Sequence, residues 1–151
     1  MSDDQKTRDA VEAFRALLGL ALRLRNQMDE RLRPDGLTTQ QAALLTAVER
    51  LDGPSVTQAA AFLGTSHQNV AQLVTSLERK GMLAVHPDPA DGRRRVLRAT
   101  TVNADYWQAR NPADHAAVAE WFSALSDDEL RAFRDMTVRL LKAQITRGEG
   151  P

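Results

Sequence analysis

Between about Gln5 and Arg33 the apolar positions Val11, Phe14, Leu18, Ala21, Met28 and Leu32 recur at alternating spacings of three and four. Arg25 fills the one missing place. This seam predicts one long helix whose apolar stripe needs a partner surface. Pro34-Asp35-Gly36 ends it. Thr38 with Gln41 has the form of a capping box and opens a helix through Leu45 and Val48 to Leu51. Asp52-Gly53-Pro54 breaks the chain again. Ser55 with Gln58 is a second box, starting a short helix that ends at Leu63 with Gly64 beyond it. Ser66 is the next N-cap. Val70, Leu73, Val74 and Leu77 follow at helical spacing, and Arg79-Lys80-Gly81 supplies a charged stop.

After Gly81 the period changes. Met82 to His86 reads as a short strand, Pro87 to Gly92 as an exposed turn, and Arg94 to Ala99 as the return strand of a hairpin with a basic flank. Helical pattern resumes near Asn103. Asn111-Pro112 inside it predicts either a kink or a restart, with Asn111 as cap and Pro112 in the first helical position. Ser126 with Glu129 is a third capping box and opens a final amphipathic helix through Leu130, Phe133, Leu140 and Ile145. The end of the chain reads as a frayed tail.

Composition narrows the function classes. The 151 residues are 42% hydrophobic and 26% charged, as expected of a soluble globular chain rather than a disordered one. Arg23 and Arg25 interrupt the richest apolar run, so no bilayer span and no membrane partner are expected. The polar, acidic start is not that of a secretory signal, which leaves a cytoplasmic location as the expectation. With no cysteine, a disulfide framework, a thiol nucleophile and a thiol redox switch are all excluded. Twenty basic residues balance twenty acidic ones, yet residues 55–100 carry six basic against three acidic groups. The neutral total hides a local positive excess, densest at Arg93-Arg94-Arg95 and Arg98.

The segments 55–63 and 66–80, separated by Gly64-Thr65, have the layout of a helix-turn-helix, whose second helix enters the major groove and offers its N-terminal residues to base edges. That helix should be apolar on one side and hydrogen-bonding on the other. Val70, Leu73, Val74 and Leu77 supply the first side; Thr65, Ser66, His67, Gln68, Asn69 and Gln72 gather on the first turns of the second. Amides pair bidentately with adenine, and no carboxylate stands between Ser66 and Gln72. Any solvated helix face is polar, so the hairpin matters. Directly after this helix it has the place of a wing, able to reach the minor groove and grip phosphate through Arg93, Arg94, Arg95 and Arg98. Asp91 stands two residues before Arg93, where it can orient that guanidinium. Strand alternation prevents all the arginines from facing one way. The competing reading is an edge strand blunted by charge against aggregation.

With those residues in view, the stretch from Ser55 to Thr100 resembles the winged helix-turn-helix of MarR-type transcriptional regulators. The resemblance rests on Leu77-Glu78-Arg79-Lys80-Gly81-Met82-Leu83, then Asp88-Pro89-Ala90-Asp91-Gly92-Arg93, then Leu97 and Thr100. Three places depart from the family pattern: Ala99, Val102-Asn103-Ala104 and Asn111-Pro112, the last within a helix the family keeps continuous. The resemblance implies a mainly α fold with a small β-hairpin wing, flanked by long N- and C-terminal dimerisation helices. It divides the chain into a dimerisation helix over 1–36, a DNA-binding lobe over 37–102, C-terminal dimerisation helices over 103–147 and a frayed tail over 148–151. It also implies a homodimer on a pseudo-palindromic double-stranded DNA site, with the 66–80 helix in the major groove and the 82–99 hairpin at the minor groove and phosphates. Repression of transcription, relieved by a small-molecule effector, is the expected role. Within one chain the terminal seams would otherwise pack on each other in a monomer.

In such a plan an effector pocket falls between the dimerisation helices and the DNA lobe. Phe14, Tyr106 and Trp107, with Arg25 or Arg110 as anion partner, are the residues to line it, and Trp121 and Phe122 lie near in sequence. Aromatic residues at helical spacing are also ordinary core. His67, His86 and His115 show no metal-ligand spacing, so no metal or other cofactor is expected. No phosphate-cradling loop, nucleophile elbow or zinc hydrolase helix marks an enzyme, and Asp127-Asp128-Glu129 is explained by a helix N-terminus. The alternative function is a winged-helix module that binds another protein and not DNA.

Overall fold

The computed structural model describes residues 1–148. It divides into two compact units, one from Met1 to Thr39 and one from Gln40 onward. In the first, helix α1 runs from Asp3 to Leu32, capped by Ser2 Oγ, which accepts from the Gln5 N–H at 3.3 Å. A single 3-10 turn, Arg33–Asp35, ends at Gly36, whose φ of 68° lies in the left-handed region that favours glycine. The apolar seam of α1 is not buried in the chain: Val11, Phe14 and Leu18 are 41%, 64% and 51% exposed.

Asp29 fixes the end of this unit. Its carboxylate accepts from the Thr39 N–H at 2.7 Å and lies 3.7 Å from Arg25 Nε. Burial pushes the Asp29 pKa up, but hydrogen bonds from the backbone and hydroxyl of Thr39 and the charges of Arg25 and Arg33 outweigh it, leaving the carboxyl below its usual value.

Thr39 is also the first residue of α2 (Thr39–Arg50), which leads into the second unit. There follow α3 (Val56–Leu63), α4 (His67–Arg79), β1 (Leu83–Pro87), β2 (Arg95–Ala99), α5 (Thr101–Trp121) and α6 (Asp127–Gly148). The two strands pair antiparallel with Val85 opposite Leu97. The core draws one face from each element: Leu44, Leu45, Ala47 and Val48; Ala59 and Ala60; Val70, Val74 and Leu77; Met82, Leu83, Val96 and Leu97. Two polar links cross it. Gln41 Nε2 donates to Ser76 Oγ at 2.8 Å, joining α2 to α4. Asn103, 1% exposed, donates to Glu49 at 3.3 Å and accepts from the Trp107 indole at 2.9 Å, joining α2 to α5. Each buried amide thus has partners that offset its desolvation.

Three sequence expectations need correction. Pro112 does not restart a helix: α5 passes through it without interruption. A proline ring already holds a helical φ, and the buried Arg110–Asp114 pair, 2.7 Å apart, brackets the site where one backbone bond is missing. Helix α5 also begins two residues earlier than the pattern suggested, because Thr100 Oγ1 caps it by accepting from the Asn103 N–H at 3.3 Å. Leu73, placed on the buried side of α4, is only half-buried. Of the frayed tail, Gly148 closes α6 and the remainder lies outside the described residues. Among the described residues no helix is long and apolar enough to cross a membrane.

A carboxylate with a lowered folded-state pKa stabilises above its unfolded value and loses that contribution as pH falls. Asp29→Ala is therefore expected to cost about 1 kcal/mol at pH 7, the usual worth of such a cap. The difference from wild type should shrink on acidification through the carboxylate range. Urea midpoints at several pH values check this, and a difference independent of pH would contradict it.

Candidate nucleic-acid interface

The turn between α3 and α4 is three residues long, Gly64-Thr65-Ser66. Gly64 (φ 66°) closes α3 with its N–H on the Ala60 and Ala61 carbonyls, and Ser66 opens α4 by accepting from the Asn69 N–H at 3.1 Å. At 100° per residue, burying Val70, Val74 and Leu77 turns Gln68 and Gln72 to the opposite side. Both glutamines and His67 are exposed, with no hydrogen-bond partner for their side chains among the described residues.

Not every residue of the proposed reading face is equally available. Ser66 Oγ is committed as the N-cap acceptor, which leaves its hydroxyl proton to donate. Asn69 is half-buried and its Nδ2 donates to Thr65 Oγ1 at 3.0 Å, so one amide hydrogen and the carbonyl oxygen remain. Thr65 acts mainly as that partner. Sequence reasoning missed Thr75: it is exposed and continues the Gln68–Gln72 stripe. The signal in the sequence is its spacing of seven from Gln68, two helical turns along the same face.

The hairpin tip is folded by its two aspartates. Asp88 accepts from the Ala90 N–H at 2.9 Å and Asp91 from the Arg93 N–H at 3.1 Å, while Asp88 N–H reaches the Arg94 carbonyl at 2.7 Å. Asp91 therefore binds the backbone of Arg93 and not its guanidinium, a correction to the expected pairing; two residues of separation favour the turn-forming bond. Arg93, Arg94 and Arg95 are exposed, and among the described residues their guanidinium groups have no carboxylate partner. Arg94 belongs to the turn and not to the strand. Arg98 stands apart, in an ion pair with Asp52. The root is also tied to the end of α4: Thr100 Oγ1 donates to the Gly81 carbonyl at 2.6 Å and Thr100 N–H to that of Met82 at 3.2 Å.

The residues expected to line an effector pocket lie in separate units. Phe14 and Arg25 belong to the first, and Arg25 is beside Asp29. Tyr106, Trp107 and Arg110 are neighbours on α5. The two rings stack edge-to-face at 4.8 Å, and Arg110 lies 5.9 Å from the Tyr106 ring and 2.7 Å from Asp114. Burial lowers the Arg110 pKa, but its bonds to Asp114 and Tyr106 and their charges outweigh this and leave it raised. Each cation proposed to receive an anion thus already faces a carboxylate. An apolar groove of about 460 Å³ lies between the end of α5 and the start of α6, lined by Val118, Phe122, Leu130, Phe133 and Val138.

Residues 35–94 match the sequence model of the MarR family, a span from the end of α1 to the wing tip. The transcriptional activatory protein BadR of Rhodopseudomonas palustris is 35% identical over 108 residues, 70% of this chain. Over residues 35–94 the chain carries the sequence pattern of the MarR family. The matched stretch spans 62% of BadR's length. The fold agrees with that of a MarR family transcriptional regulator from Silicibacter pomeroyi, with a TM-score of 0.77 and 19% identity over 85% of this chain and 87% of that one. It also agrees with a cysteine-to-serine mutant of MarR from E. coli complexed with operator DNA, with a TM-score of 0.74 and 18% identity over 88% of this chain and 96% of that one. The chain is thus a mainly α winged-helix protein with a two-stranded hairpin.

Thr100→Val removes one oxygen that both caps α5 and holds the hairpin root. Its expected cost is about 1–2 kcal/mol, that of a lost cap, measured by urea unfolding. A change within about 0.3 kcal/mol, the scale of a neutral surface substitution, would contradict this role.

Proposed function

We propose that this chain is a MarR-type regulator, a sequence-specific, double-stranded DNA-binding transcriptional regulator. Helix α4 lies in the major groove in this reading, and the hairpin of 82–99 reaches the minor groove and adjacent phosphates. The observation that carries it is the carboxylate-free amide stripe of Gln68 and Gln72 on α4, followed in the chain by three exposed arginines without acidic partners. A solvated face or a blunted edge strand explains each feature alone but not their succession. The MarR mutant of similar fold complexed with operator DNA supports duplex DNA as the partner.

The protein acts as a homodimer, through α1 and the helices of 103–147, on two half-sites about 10 base pairs apart. This part of the proposal is supported by the uncovered apolar residues of α1 and by those of α6, where Met136, Leu140 and Leu141 are 49%, 59% and 53% exposed. The groove lined by Phe122 and Phe133 is a further apolar surface for a second copy to cover. Binding across a promoter represses transcription by occlusion, and a small-molecule effector would relieve it. Activation is the second reading, favoured by BadR, which is named for it. A reporter downstream of the selected operator, assayed with and without the protein, separates the two by sign.

Gln68→Ala should cost about 1–3 kcal/mol on the preferred duplex and relax base preference at one position. Arg93→Ala should weaken all duplexes alike and make the slope of log affinity against log salt shallower by about 0.9. Fluorescence anisotropy over a salt series reads both. Binding that ignores salt and both substitutions would favour the protein-binding alternative. Sedimentation equilibrium tests the dimer: Leu140→Glu should shift it to monomer, and a wild-type monomer at micromolar concentration would contradict it.

A further inference from the structure

The wing tip carries the free charges, but its direction is set at the root. Arg98 lies on β2, where strand alternation puts it on the opposite face from Arg95. Its guanidinium crosses to the turn between α2 and α3, with Nη1 2.5 Å from Asp52 Oδ1. The turn is built to receive it. Asp52 is the one described residue other than glycine with a positive φ, 50°, and Gly53 follows at 81°. A Cβ on Gly53 would lie 2.5 Å from Arg98 Cζ, so the guanidinium occupies the space a side chain would take. Pro54, fully buried, accepts from the Leu97 N–H at 2.8 Å. Two consecutive residues of β2 are thus tied to two residues of one turn.

We propose that Arg98 and Asp52 form a clamp that sets the angle of the wing, making Arg98 a positioning residue for Arg93, Arg94 and Arg95 rather than a phosphate contact. The proposal deepens the DNA-binding reading and rests on it. From Arg98 to the tip at Arg94 the extended chain reaches about 13 Å, at about 3.3 Å per residue, so a tilt of about 10° at the root moves the tip by about 2 Å. That exceeds the tolerance of a hydrogen bond to phosphate. Distal to the root, the hydrogen bonds of the described hairpin residues stay within the hairpin: the strand pairing, the Asx turns and the backbone turn bonds of Asp88 and Arg94. The Asp52 carboxylate is 90% exposed and the Arg98 side chain 45%, so the pair adds little to folding stability. Its effect is on direction, and this separates positioning from plain stabilisation.

The test is Asp52→Asn, which keeps a residue tolerant of positive φ and removes one negative charge. On charge alone, a polyanion should bind this variant more tightly. The clamp predicts the reverse: affinity for the selected duplex falls about two- to fivefold, with melting temperature and salt slope unchanged. Arg98→Ala should show a similar loss, again with the wild-type slope, whereas loss of a phosphate contact would make the slope shallower by about 0.9. In the free protein, the Leu97 amide should exchange faster in Asp52→Asn. Tighter or unchanged binding of Asp52→Asn, or a shallower slope in Arg98→Ala, overturns the proposal. So does unaltered Leu97 exchange. A wild-type chain that binds no duplex at any salt concentration fails earlier and differently, because the DNA reading then falls before any variant is made.

Discussion

Burying Val70, Val74 and Leu77 along one side of a 13-residue helix leaves the glutamines at 68 and 72 facing water, because 3.6 residues per turn allow nothing else. Everything else in the proposed interface follows from that division. The left-handed Gly64 and the Ser66 cap start the helix where the first-turn amides come clear of the core. The Gln41–Ser76 bond holds its far end to α2. A helix so anchored presents its outer side chains with little backbone freedom left to lose on contact, which favours recognition.

Charge enters as distribution and not as quantity. The chain is neutral in sum, yet both aspartates of the hairpin tip are engaged with backbone N–H groups, leaving Arg93, Arg94 and Arg95 without acidic partners among the described residues. Three guanidinium groups elsewhere are paired: Arg110 with Asp114, Arg25 with Asp29, Arg98 with Asp52. Three consecutive cations without acidic partners concentrate positive charge at the hairpin tip, as an interface for a polyanion requires.

Much of this was legible in the sequence because caps and stops are local. The Ser55–Gln58 and Ser126–Glu129 boxes form with both bonds made, and the periodicity of 66–80 gives the correct helix and most of its buried side. What was not legible depends on distant partners. Nothing near Arg98 announces that Asp52, 46 residues earlier, will take its guanidinium. Asp91 looked like a partner for the Arg93 side chain and is instead a turn-former. Pro112 looked like a boundary, but Arg110 and Asp114 four residues apart span it. Thr100, read as part of a family motif, turned out to be the α5 cap as well.

The most direct check of the α4 surface is chemical protection of the duplex. Dimethyl sulfate marks guanine N7 in the major groove and adenine N3 in the minor groove. Helix α4 in the groove predicts protected N7 positions in two clusters about one helical turn apart, with N3 protection on their flanks where the wings reach. Protection confined to the minor groove, or absent while the protein is bound, would contradict the account.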